Sequence, residues 1–324
     1  MTSQKQTGRQ PKRKKEKIMK KIISLVLVAA LSLCSIFALG SCGPKEEDNL
    51  SAAYDKIAAS LEFDDSNCEE FVVAMSPDFA PMEFIDLAKS GDDKYVGFDV
   101  LLAKYLAKEM NKKLVIKPMS FDACQAAVQS GQVDAAISGF SWTAERAENY
   151  EITDWYEAGD NETEQVLITT KANAGKFTTA ESLAGKKVGA QVSSLQELLV
   201  NEQLVTGGAE LVTVADLGTG VEMLKTGKID ALAVAHGNGE AFISQNADSI
   251  DWAGFDFVVD ELYKNNVILL QKGDTELLAT INAALAKAKA AGLYDTWYET
   301  CEIYSQIKTA DELGYDDKGN KITE

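Results

Sequence analysis

A seven-residue echo constrains the fold of this chain more than any other feature. Gly131-Gln132-Val133-Asp134-Ala135-Ala136-Ile137 returns as Gly227-Lys228-Ile229-Asp230-Ala231-Leu232-Ala233, matching in order and character. Each copy starts on a glycine of the kind that ends helices and continues as an apolar run of strand length. Around the first copy, residues 71–75 read as a strand and 99–110 as a helix with Leu102, Tyr105, Leu106 and Met110 on one face. Residues 114–117 read as a strand, Asp122 caps a helix running to Gln129, and 133–138 returns as a strand. Around the second copy, 187–190 is a strand, a helix opens at Ser194, 211–214 is a strand, a helix covers 221–225 and a strand starts at Asp230. Such alternation builds a mostly parallel sheet with flanking helices. Two similar α/β lobes are expected.

The polar stretches 159–164 and 264–266 are the expected crossovers between the lobes, the second lying just before the apolar run 267–270. If the chain crosses twice, lobe one comprises 68–160 and a return over 266–307 with helices at 274–291 and 293–307. Lobe two is then 161–265, and 308–324 is an acidic tail. Two connecting strands form a hinge. At 324 residues and 46% hydrophobic, the chain has material for substantial cores.

The N-terminal part differs in kind. Residues 12–21 are strongly basic and 22–39 apolar, the form of an export signal over 1–41, with Met19 as an alternative start. The run ends in Leu39-Gly40-Ser41-Cys42, which resembles the lipobox of bacterial lipoproteins. The resemblance implies cleavage before Cys42, lipid on its thiol, and a tether over 42–67 that includes a short helix at 50–61. Beyond Cys42 no apolar run approaches the ~20 residues that span a bilayer. Loss of residues 1–41 removes nine Lys or Arg and one acidic residue, moving the net charge from −18 to −26. That charge argues against nucleic acid and anionic lipid as partners. Of five cysteines, Cys68, Cys124 and Cys301 remain in the body, without metal-ligand spacing; Cys68 with Cys301 is the one conceivable bridge.

Past residue 41 the chain has one arginine, Arg146, among many lysines. A guanidinium grips a carboxylate through two parallel hydrogen bonds and stays charged when desolvated, which lysine does not reproduce. The competing use is an ion pair with Glu145 or Glu148. The segment 138–146 directly follows a strand, where open α/β sheets place ligands, and Ser141 lies close by.

These residues resemble the family-three solute-binding proteins, the polar amino-acid-binding proteins of ABC importers. The resemblance runs from about Phe71 to Glu299 and is carried by 76–84, by Tyr95-Val96-Gly97-Phe98-Asp99, by 117–146 and by Gly292-Leu293-Tyr294-Asp295-Thr296-Trp297-Tyr298. It implies a two-lobed periplasmic-binding-protein fold with two hinge crossovers and an extracytoplasmic, lipid-anchored protein. That protein is expected to be a monomer that hands a small amino-acid-like ligand to an ABC permease, without cofactor or metal. It also implies a ligand carboxylate held by Arg146, Ser141 and Gly139, between aromatic walls at Phe79 and Phe121. Trp142 is a third wall or a rim residue, and Ser76 and Gln191 join the set. In lobe two, Ser194 and the Leu195 amide form the second grip, at a turn that also reads as plain helix capping.

The sequence departs from the family after the second Asp-Ala strand, where an acidic residue for the ligand ammonium is usual and Ala235 stands instead. His236, the only histidine, is the next candidate, with Glu240 one helical turn on; a structural histidine is the competing reading. An enzyme on this fold, like the family's cyclohexadienyl dehydratase relatives, would use His236 or Glu240 as acid or base. A ligand-sensing module is the third possibility. For the binding protein, Arg146→Lys should greatly weaken ligand binding while leaving folding intact, because charge survives and the fork does not. Calorimetry that returned near-normal affinity would remove Arg146 from the clamp.

Overall fold

The computed structural model of the protein describes residues 46–156 and 163–305. Cys42 and the signal segment, residues 159–162 of the first expected crossover, and the 308–324 tail lie outside them. Helix α1 (Glu46–Leu61) precedes β1 (Glu70–Met75), the short pair β2 (Phe84–Ile85) and β3 (Tyr95–Val96), and α2 (Phe98–Met110). There follow β4 (Lys113–Pro118), α3 (Phe121–Gln129), β5 (Ala135–Ser141), α4 (Ala144–Asn149) and β6 (Tyr150–Ile152). The next run is β7 (Gln165–Thr170), β8 (Lys187–Gln191), α5 (Leu195–Gln203), β9 (Glu210–Val214), α6 (Leu217–Lys225), β10 (Ala231–Ala235), α7 (His236–Gln245) and β11 (Ile250–Asp256). The described chain ends with β12 (Asn266–Gln271), α8 (Thr275–Ala290) and α9 (Leu293–Tyr304).

Two five-stranded sheets result, ordered β4-β1-β5-β12-β6 and β11-β7-β10-β8-β9. In the first, β1 runs parallel to β4 and β5, and β12 runs antiparallel to β5 and β6. In the second, β8 runs parallel to β9 and β10, and β7 runs antiparallel to β10 and β11. The parallel half of each sheet is the βαβ half, where helical crossovers dictate direction. The strands that follow the passages between lobes, β7 and β12, enter the other way round.

The sequence echo has a structural counterpart. Asp134 donates its N–H to the Val72 carbonyl (2.9 Å) and accepts the Val72 N–H on its carboxylate (2.7 Å). Asp230 does the same to Lys187, at 2.8 and 2.9 Å. Gly131 and Gly227, three residues earlier, have φ of 69° and 71°, which turns the chain from helix to strand. In each lobe an aspartate thus pins the start of one parallel strand to its neighbour.

Two separated stretches of the lobe-one sequence meet around Phe98. Its ring lies 5.9–6.4 Å from Tyr294, Trp297 and Tyr298, and 6.1 Å from Tyr156, beside the passage to lobe two. Cys301 is buried in the same cluster and Cys124 under the opposite face of the sheet; with Cys68 they are free thiols, so the conceivable bridge is not formed. Gly97, before α2, has φ of 123°, and a Cβ there would sit 2.4 Å from the Met82 carbonyl oxygen. Gly97→Ala combines a disfavoured backbone with a backbone clash and should cost roughly 2–4 kcal/mol. Urea unfolding of the two proteins measures it, and a change below about 0.5 kcal/mol would show that the loop relaxes freely.

Candidate ligand-binding site

The site forms where β5 of lobe one faces the β8–α5 turn of lobe two. After β5, Thr143 caps α4 by accepting the Arg146 N–H (3.2 Å), which turns the Arg146 side chain back over the strand end. Arg146 is 5% exposed. Its Nη1 donates to the Ser141 carbonyl (2.5 Å), its Nη2 to the Ser193 carbonyl of lobe two (2.9 Å) and its Nε to the Gln125 side chain (3.4 Å). The guanidinium carbon lies 5.5 and 5.1 Å from the ring centres of Phe121 and Phe140, which stack on each other at 4.6 Å. Cation–π attraction and planar stacking suit arginine to this slot.

Across the gap, Ser193 has φ of 61° and gives its N–H to the Glu197 carboxylate (2.6 Å), while Ser194 Oγ accepts the Glu197 N–H (3.1 Å). Ser194 is therefore the N-cap of α5, and the helix directs its positive end at the gap. From lobe one, Phe79, Phe121, Gly139, Ser141 and Arg146 line the enclosed space; from lobe two, Gln191, Ser194 and Leu195 do. Ser138 and Gln196, absent from the sequence expectations, complete the wall. The cavity is small, about 290 Å³ of space outside protein atoms including its open mouth. Pockets for small ligands usually offer more, so entry of a solute requires the lobes to separate.

Three expected residues lie off this wall. Ser76 is buried beside it, donating its N–H to Ser138 Oγ (3.0 Å) and its hydroxyl to Asp78 (2.8 Å). Trp142 packs against the buried apolar cluster of Phe121, Phe140 and Tyr150. His236 opens α7 and stacks on Trp252 at 4.9 Å, with its ring nitrogens 4.0 Å from Glu164 and 3.7 Å from Glu240. No local pattern in the sequence announces Trp252, which reaches His236 from β11.

Side chains also join the lobes directly. Asp78 accepts from the Gln191 side chain (3.1 Å) and from the Leu217 N–H (2.8 Å), and the Asn238 side chain donates to the Ala80 carbonyl (2.5 Å). Beneath the wall lie two fully buried carboxyls. Glu83 accepts from Ser138 Oγ (2.5 Å), and Asp99 accepts from the Gly139 N–H (2.7 Å) and the Tyr156 hydroxyl (3.1 Å). The remaining oxygens, Glu83 Oε2 and Asp99 Oδ1, receive no other donor, and the two carboxyls contact each other. A proton held on one carboxyl can be donated to the other, which would satisfy both oxygens. Burial pushes both acids up, Asp99 to about 6 and Glu83 further, because its neighbour's charge adds to the cost of ionising it.

Two lobes joined by paired crossovers, closing a buried guanidinium and a helix N-terminus over a small polar cavity, define a clamp-type solute-binding protein of the periplasmic-binding-protein fold. The chain belongs to the bacterial extracellular solute-binding proteins, family 3, whose profile matches residues 71–301. It is 27% identical over 292 residues to a probable histidine-binding protein of Campylobacter jejuni, covering 88% of this chain and all of that one. It is 29% identical over 268 residues to the arginine-binding extracellular protein ArtP of Bacillus subtilis, covering 83% and 92%. Among solved structures it resembles the amino acid ABC transporter substrate-binding protein AbpA of Streptococcus pneumoniae bound to L-arginine, with TM-score 0.64, 32% identity and coverage of 74% and 97%. The sequence reading as an extracytoplasmic binding protein for an amino acid or similar carboxylate, serving an ABC importer, agrees with these relatives. It is a binding protein and not an enzyme, and the dehydratase-like alternative is not favoured.

The acid pair makes stability pH-dependent. Its folded pKa values lie above the unfolded ones, so the folded chain keeps a proton that the unfolded chain has released. The stabilisation is complete below the unfolded carboxyl range and declines as pH rises through about 6 and beyond. Glu83→Gln keeps the hydrogen-bonding shape and removes one titration, so the stability difference, variant minus wild type, should grow from pH 4 to pH 8. Denaturation curves that run parallel across this range would show that the carboxyls share no proton.

Proposed function

We propose that the cleft binds the carboxylate of an amino acid through Arg146, Ser141 and the N-terminus of α5, with Phe79 and Phe121 against the remainder of the ligand. The observation that carries this reading is the Arg146 guanidinium, buried against two rings and reaching the Ser141 carbonyl of one lobe and the Ser193 carbonyl of the other. Opening the lobes withdraws the Ser193 carbonyl from Nη2 of the fork. A carboxylate entering there is met in line by the N–H groups that start α5. Closure then buries it, and the closed form is what a permease recognises. The names of the relatives favour polar or basic amino acids such as arginine and histidine.

We also infer that Cys42 carries lipid and holds the protein at the membrane. Support comes from the Leu39-Gly40-Ser41-Cys42 sequence behind a basic and then apolar leader. Cys42→Ser should move the protein from the membrane fraction to the medium or periplasm, and retention in the membrane would defeat the lipid assignment.

A thermal-shift screen of the purified protein tests the ligand class. An amino acid present at a hundred times its Kd should add about 2.7 kcal/mol to stability, a rise of several degrees in Tm. If neither arginine, histidine nor any other amino acid shifts Tm, the amino-acid reading falls.

A further inference from the structure

Asp78 occupies an unusual position for a carboxylate. Its Oδ1 accepts the Ser76 hydroxyl in lobe one, and its Oδ2 accepts the Gln191 amide and the Leu217 N–H in lobe two. None of these partners is a cation, and the titratable groups that bear on it are acids, Asp216 and the buried Glu83. Sinking a carboxylate between closing lobes among neutral donors is costly unless positive charge joins it. The buried cation at this interface, Arg146, is engaged elsewhere, with Ser141, Ser193 and Gln125.

The two charges are nevertheless tied to one short segment. The β8–α5 turn is held through Gln191 by Asp78 and through Ser193 by Arg146. Two peptide units separate those residues, a Cα span of at most about 7 Å. Gln191 and Ser194 of that segment both line the cavity. The cavity therefore has a guanidinium in its wall near one end of the turn, and behind Gln191 at the other end an uncompensated carboxylate that does not itself line the cavity. At the end of β10, which also borders lobe one through Asn238 of α7, the side chain is the methyl group of Ala235, which offers no charge.

We propose that Asp78 holds a cationic nitrogen of the bound amino acid, with the Gln191 amide giving way to it. The assignment rests on the cleft being an amino-acid site and adds which group recognises the positive charge. That nitrogen is the α-ammonium or a side-chain cation; the chemistry is shared and the two are separable by ligand.

Calorimetry on wild type and Asp78→Asn uses three ligands: L-arginine, L-glutamine, and the carboxylic acid that matches arginine but lacks the α-amine. Asp78→Asn should weaken each ligand that carries the recognised nitrogen by roughly ten- to a hundredfold, the scale of a hydrogen bond to a charged group. The ligand without that nitrogen should lose less than about twofold. Sparing of the des-amino acid identifies the α-ammonium, and sparing of glutamine identifies the guanidinium. Equal losses for all three would overturn the proposal and make Asp78 a latch between lobes; no loss for any would overturn it as well. Wild type that bound none of the three would instead remove the amino-acid reading beneath it. Circular dichroism melts certify the fold of the variant, with Asp78→Ser measured alongside for the same pattern across ligands.

Discussion

A guanidinium taken out of water must be surrounded, and the way Arg146 is surrounded organises the interface. Its plane rests near two phenylalanine rings, and its N–H groups reach one carbonyl in each lobe. Carbonyl dipoles stabilise the charge. The slot thus keeps an arginine charged and aimed at the turn between β8 and α5. Lysine, a compact and strongly hydrated cation on a flexible stem, fits none of these requirements, although the chain uses lysine almost everywhere else.

The second level of organisation lies below the cavity. The Gly139 amide is oriented by Asp99, which also receives the Tyr156 hydroxyl, and Tyr156 pairs with Asn266 where the chain leaves and re-enters lobe one. Asp99 follows Phe98, whose ring is enclosed by the aromatic residues of α9. The last helix of the described chain therefore supports the cavity wall by way of one phenylalanine and one carboxylate. Two hydrogen bonds through Asp99 thus connect Tyr156, beside the passage between lobes, to the Gly139 amide.

Much of this was legible in the sequence because the relevant signals are local. The echoed glycine marks a helix-to-strand turn from residues a few positions away, whereas the strand-pinning role of the echoed aspartate emerges only when the neighbouring parallel strand is in place. Arg146 stood out by rarity, and Ser194 by its place at a helix start. What escaped depends on pairings between distant parts of the chain. Asp78 gains its meaning from Gln191 and Leu217, which belong to the other lobe, and the Glu83–Asp99 contact from the folding of β2 against β3 and α2. His236 is turned toward Trp252 by stacking, and Trp142 toward a phenylalanine cluster by packing, neither of which leaves a periodic trace.

The strand order of the first sheet also bears on the life of the chain before it is complete. Strand β12 sits between β5 and β6, although more than a hundred residues separate it from either in sequence. During synthesis, lobe one therefore lacks a central strand until β12 emerges, whereas every strand of the lobe-two sheet precedes β12 in the chain. A gap inside a sheet holds lobe one short of its native state until β12 has emerged. The lobe that opens the described chain is therefore the one whose sheet is completed last, after every strand of the other lobe is present.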